Sequence, residues 1–231
     1  MSLHPSILLS FLALSACSTA GKDGDTGTTE VATIAGTFTI LDAVSGSGIE
    51  DVSVSSNLGE TAMTSADGSA TVAVAENGSF SVQVSKDGAL DHLLFGPTGE
   101  DDFDFVTFMA TDTLVGTVTS MLGTSPAEGT GLLVVGIDYD NLSPAVGATA
   151  SVDAAHDSPW VIGGMGPAFG DTIPMGGMGM VAFPGLVPGN NVAVDVIPPQ
   201  GTDCTAFPSG GSMPNAPILA NTVTVITYHC R

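Results

Sequence analysis

The amino-acid sequence predicts an all-β fold, two tandem β-sandwiches joined by a short amphipathic helix. Three observations carry that prediction. Apolar and polar residues alternate with a period of two along several short runs, and Gly (30) and Pro (14) interrupt those runs often. Rings are scarce (10 Phe, 2 Tyr, 1 Trp) in a chain that is 43% hydrophobic, so the core is built from Val, Ala, Ile and Leu. Such a composition suits many short strands.

The elements follow in order. From residue 31, Ala32, Ile34, Gly36, Phe38 and Ile40 face one way while Thr33, Thr37 and Thr39 face the other. The alternation returns at Val52/Val54, Ala70/Val72/Val74 and Phe80/Val82/Val84. Asp67-Gly68, Asn77-Gly78 and Asp87-Gly88 read as turns whose glycines accept positive φ. Strands with one apolar face hide it by stacking two sheets. Asp112 to Gly123 is the one helical pattern: Leu114, Val115, Val118, Met121 and Leu122 share a face, Thr111 or Asp112 caps the start, and Gly123 ends it. That face is expected to pack on one or both sandwiches. A helix lying on a membrane is the alternative, although its polar face has no Lys or Arg.

A second copy aligns with the first through its glycines. Gly68 and Gly78 flank Ala70 and Val72, as Gly179 and Gly189 flank Val181 and Phe183, and each pair precedes an alternating strand, Phe80 to Val84 or Val192 to Val196. Upstream, residues 48–54 correspond to residues 144–150. The run Pro144-Ala145-Val146-Gly147-Ala148-Thr149-Ala150, with Gly179-Met180-Val181-Ala182-Phe183 and Leu186-Val187-Pro188-Gly189, resembles the carboxypeptidase regulatory-like family. The resemblance implies transthyretin-like sandwiches and a non-catalytic role. Residues 31–110 and 131–231 are the two expected sandwiches, with 111–130 as the linker helix and loop.

The first seventeen residues suggest an address. Ile7 to Leu14 is an apolar run too short to span a bilayer, which takes about 20 residues, but suited to a signal-peptide core. Leu14-Ser15-Ala16-Cys17 is similar to a bacterial lipobox, which implies a signal peptide over 1–16 and lipidation (diacylglyceryl, palmitate) of Cys17. The n-region departs from that pattern by lacking Lys and Arg, and an ordinary secretory signal is the alternative. Residues 17–30 read as an acidic flexible tether, and Ser18 in place of Asp favours the outer membrane by analogy. Localisation at a bacterial cell envelope, periplasmic or surface-facing, follows as an expectation. With Cys17 lipidated, Cys204 and Cys230 remain, either as one disulfide or as two buried thiols.

Charge excludes partners. With 24 acidic and 3 basic residues the net charge is −21, and Lys22, Lys86 and Arg231 cannot replace the counterions of nucleic acid. The chain lacks a Gly-x-Ser-x-Gly elbow, a His-Glu-x-x-His pair and a phosphate loop, so no catalytic residue, enzyme activity or cofactor is expected. Three segments are candidate binding sites. The span from Pro144 to Gly179 is 35 positions against 20 from Gly48 to Gly68, and the extra length is an insertion that holds His156, Trp160, Met165, Met175 and Met178, with Met180 just beyond it. It is either a Cu(I) site or a Gly-rich loop covering the sandwich end. Glu100 to Asp104 and Asp138 to Asn141 are acid clusters, either Ca²⁺ ligands or solvated edges. The expected role is an adhesion, scaffold or binding module working through sandwich-end loops, with an envelope protein or glycan as partner; a carbohydrate- or metal-binding (Cu or Ca) accessory protein of the envelope and a hydrolase accessory domain pair are the alternatives. Trp160 is the residue on which a sugar-binding reading turns.

Overall fold

The computed structural model describes residues 31–124 and 127–231, and residues 31–231 form one compact unit. The signal segment, Cys17 and the tether lie outside the described residues. The first half contains β1 (Thr33–Asp42), β2 (Ser53–Ser56), β3 (Thr61–Met63), β4 (Ser69–Ala75), β5 (Ser79–Ser85), β6 (Asp91–Pro97) and β7 (Phe103–Met109). Helix α1 (Asp112–Leu122) follows. The second half continues with β8 (Gly131–Tyr139), β9 (Thr149–Val152), β10 (Trp160–Gly163), β11 (Gly166–Phe169) and β12 (Met180–Leu186). It closes with β13 (Asn191–Val192), β14 (Val194–Ile197), β15 (Cys204–Ala206), β16 (Ala216–Pro217) and β17 (Thr222–Cys230).

The period-two residues form the core as expected. Phe38, Ile40, Val52, Val54, Val72, Val74, Phe80, Val82 and Val84 are all buried, in one hydrophobic cluster completed by Leu94, Phe105, Met109, Val223 and Val225. A second cluster gathers Leu133, Val135, Ile137, Val181, Phe183, Ile226 and Tyr228. The sheet pattern repeats. In the first half β1 lies between antiparallel β4 and parallel β7. In the second, β8 lies between antiparallel β12 and parallel β17.

The halves are joined in one sheet rather than through the helix alone. Strand β17 pairs in parallel with β8 along one edge, and on its other edge with β6 over Thr222 to Val225. A ten-stranded sheet therefore runs β11-β10-β12-β8-β17-β6-β5-β2-β3, with β15 also on β17. Alternation along β17 sends Ile226, Tyr228 and Cys230 to the second cluster and Val223 and Val225 to the first. Parallel pairing needs no local turn, so partners this far apart in sequence carry no local signal. Cys204 and Cys230 face each other across β15 and β17 and form a disulfide.

Local chemistry explains the turns and the helix. At Asp67-Gly68 the aspartate accepts from the Ser65 and Ser69 hydroxyls and the Ser69 N–H, which holds its pKa down at about 2. Gly68 takes φ +84°, and a Cβ there would strike the Ile40 carbonyl. At Asn77-Gly78 it is Asn77, with φ +49°, that takes the left-handed conformation; asparagine tolerates it. Helix α1 begins at Thr111, whose Oγ1 accepts from the Leu114 N–H at 3.2 Å, and ends on Gly123 at φ 64°. Its stripe buries Val118 and half-buries Leu114, Val115 and Leu122, but Met121 is 61% exposed.

Two expectations are corrected. Trp160 does not sit in an irregular loop. Trp160 to Phe169 forms the hairpin β10–β11, which extends the sheet beyond β12. The single strand expected over Val192 to Val196 is split at Ala193 into β13, paired with β16, and β14, paired with β9. The Ala193 N–H turns aside to the Asp153 carboxylate at 2.9 Å, and that breaks the ladder.

Candidate functional site: an apolar cleft between sheet and helix

The face of β8 that looks away from the second core carries Leu132, Val134, Gly136 and Asp138. Strand register extends this face sideways. Trp160, Ala182, Val134 and Val225 form one row, and Met180, Gly136 and Thr227 the next, with Ile162 two residues beyond Trp160 on β10. Asp138 and His229 lie side by side at the end of the floor, with Met178 close by. Helix α1 contributes Leu114, Val115 and Val118 as a wall, and β7 contributes Asp104, Val106 and Phe108. The enclosed space is a predominantly apolar cleft of about 400 Å³, within the range of small-molecule sites. Met121, outside the cleft lining, reaches the hairpin turn: a Cβ on Gly166 would lie 3.2 Å from its Cε.

Polar groups are few and have distinct roles. Asp138 packs against Gly179, where any Cβ would collide with its carboxylate. Burial alone pushes its pKa up to about 7; among the described residues neither a hydrogen bond nor a cation opposes that rise. His229 stacks on Phe207 with ring centroids 4.1 Å apart. Burial pushes its pKa down, the Asp140 carboxylate 3.8 Å from Nδ1 pulls it up, and Arg231 pushes it down again. Arg231 Nε donates to both Asp140 oxygens, at 2.9 and 3.2 Å. His92 is buried and structural. Its Nδ1–H donates to the Leu90 carbonyl at 2.8 Å and its Nε2 accepts from the Ala110 N–H at 3.3 Å, which fixes the neutral tautomer. Burial depresses its pKa in agreement.

The structure divides the residues singled out from the sequence. Trp160 is half-buried on the cleft floor. Met178 and Met180 line the same cleft, Met175 is 85% exposed outside it, and His156 lies edge-on to Phe183 on the opposite face of the sheet. His156 and the cleft methionines are therefore not brought together. The Asp138 to Asn141 cluster is also split, with Asp138 in the cleft and Asp140 held by Arg231. In the other acid segment Asp102 accepts from the Ala35 N–H at 2.7 Å. Among the described residues no three His, Cys, Asp or Glu side chains converge as a metal site. The concavities at the loop end around Asp51, Lys86 and Asp87 are polar and open. Sequence reasoning missed Leu132, Val134 and Gly136. Their signal is that β8 is apolar on both faces, as only a strand covered on both sides is.

No protein-family model matches the chain, so the resemblance to carboxypeptidase regulatory-like domains gains no support there. No curated protein matches it. Among solved structures the chain is similar to GBS52, the minor pilin of Streptococcus agalactiae, at 13% identity and a TM-score of 0.29, covering 85% of this chain and 95% of that one. It is similar to a streptococcal ancillary pilin at 14% identity and a TM-score of 0.28, covering 88% of this chain and 64% of that one. A third is the shaft pilin SpaA of Lactobacillus rhamnosus GG, at 9% identity and a TM-score of 0.27, covering 87% of this chain and 98% of that one. Overlap at this level establishes neither a shared fold nor a shared role.

Proposed function

We propose that the protein is a non-enzymatic binding protein of the bacterial cell envelope that holds a small apolar ligand between its sheet and helix α1. The cleft carries this reading. A strand face bearing Leu132 and Val134 beside Trp160, Ile162 and Met180 is expensive to leave wet, yet the helix roofs it without filling it. Ligand sites combine an apolar body with a few placed polar groups, and here those groups stand at one end. The reading includes a lipid anchor on Cys17 of an outer-membrane lipoprotein, and two transthyretin-like lobes. Palmitate labelling that survives Cys17→Ala would remove the anchor from it.

Binding is tested with a neutral hydrophobic dye whose fluorescence rises in apolar surroundings. Wild-type protein is expected to bind it saturably with one site, and Val115→Trp, which fills the cleft from the helix side, to lower affinity about tenfold or more. Dye binding that ignores Val115→Trp would reject the cleft. The half-buried indole of Trp160 supports glycan recognition as a second reading. Hits on a glycan array that are lost in Trp160→Ala, with dye binding absent, would favour it.

A further inference from the structure

We infer that the cleft takes a single-chain amphiphile with an ammonium head, its chain along the floor from Trp160 to Gly136 and its head against the Asp138 carboxylate. The inference rests on the reading of the cleft as a ligand site. The rows of the sheet provide the polarity. Trp160, Ala182, Val134 and Val225 are followed by Met180, Gly136 and Thr227, and only then by Asp138 and His229. Gly136 adds no side chain to the middle of that path. A volume of about 400 Å³ accommodates about a dozen methylene-sized groups at ~30 Å³ each.

Charge selects the head. Asp140 follows just past the end of β8, from β17 Asp138 faces His229 with Arg231 beyond, and from β7 the cleft receives Asp104. The lining residues of β10, β12 and α1 carry no charge. Arg231 is engaged by Asp140 and burial keeps His229 toward its neutral form. Among the described residues the polar end therefore presents the Asp138 carboxylate without a free cation. A carboxylate or phosphate head would meet like charge where water is scarce. A hydroxyl head would leave the carboxylate desolvated and uncompensated. An ammonium supplies countercharge and donors together, and the acidic surface raises its local concentration.

Asp138 gives the site a pH signature. A bound cation favours the carboxylate, so affinity for an amine rises as pH climbs through the unliganded carboxyl's value of about 7. Protonation of His229 at acid pH acts in the same direction, by repulsion.

The test displaces the neutral dye from the full chain at 0.15 M salt with monomeric dodecylamine, dodecanol and dodecanoate. At pH 8.5 dodecylamine is expected to displace at about tenfold lower concentration than dodecanol, and dodecanoate to be the weakest. Asp138→Asn, nearly isosteric, is expected to remove the amine's advantage, with dodecanol binding at least as well as to wild type because no carboxylate is left desolvated. At pH 5.5 the amine weakens on wild type far more than on Asp138→Asn. Equal displacement by the three heads overturns this inference alone, as does an amine advantage that survives Asp138→Asn. Displacement by none of them, on a chain that binds the dye, also overturns it. Failure of the dye itself to bind overturns the cleft reading with it. The wild-type series decides between heads even if a variant does not fold.

Discussion

Strands β1 and β8 occupy the same place in their halves, each between an antiparallel and a parallel neighbour, yet they differ on one face. On β1 the residues facing away from the core are Thr33, Ala35, Thr37 and Thr39; on β8 they are Leu132, Val134, Gly136 and Asp138. The threonines of β1 meet water and the neighbouring β4, as where the Thr37 and Thr71 hydroxyls lie 3.1 Å apart. The apolar residues of β8 need cover, which comes from β7, α1 and the first core. A repeated strand pattern thus makes a plain solvent face in one copy and a ligand-sized cleft in the other. The difference lies in four positions on one strand face and in the elements that cover it.

That comparison can be broken or sharpened experimentally. The largest effect belongs to the first core: Phe38, fully buried among Phe80, Phe103 and Phe105, is expected to cost about 3–5 kcal/mol as Phe38→Ala. If the shared sheet couples the halves, denaturation monitored by Trp160 fluorescence in the second half shifts equally. A Trp160 transition that stays in place would mean that the halves unfold separately. Next, loss of the Cys204–Cys230 disulfide as the double serine variant is expected to cost about 3 kcal/mol, because it closes a segment with a separation of 26 residues. Urea midpoints with and without reductant measure it.

Neighbours on β8 give a finer test. Val135 is fully buried in the second core and Val134 lines the cleft, so Val135→Ala should cost about 2 kcal/mol and Val134→Ala about 0.5. Equal costs would mean that the cleft is as tightly filled as the core. The last effect is a gain. Asp138 has a folded pKa of about 7 against 3.8 unfolded, so the folded state holds a proton that the unfolded chain releases between about pH 4 and 7. Stability from this group falls as pH rises through that window and levels off above 7. Asp138→Asn should therefore stabilise by about 1–2 kcal/mol at pH 8, discounted for solvent in the cleft, and by almost nothing at pH 4. Melting curves of both chains at the two pH values decide it.

What was legible in the sequence was local. The first-half strands and the helix boundaries follow from alternation within a strand and from caps at Thr111 and Gly123, each set by residues within a few positions. Hairpin β10–β11 was hidden because its turn, Gly163 to Gly166, looks like the Gly-rich stretch around it. The pairing of β17 with β6 was invisible because a parallel register over such a separation leaves no turn residue behind. Asp138 stood out as one acid among several, but only the neighbours brought by β12 and β17 show that it faces an apolar space.

The position of β17 also sets an order of assembly. Leu94 waits for Val225, and strands so distant in sequence pair late because the intervening loop must close first. Until then β6 and β8 each hold an open edge, and both edges accept the same nine-residue strand. A neighbouring chain at the same stage presents an identical gap. Exchange of β17 between two such chains would satisfy all four edges, which is the geometry of a strand-swapped dimer.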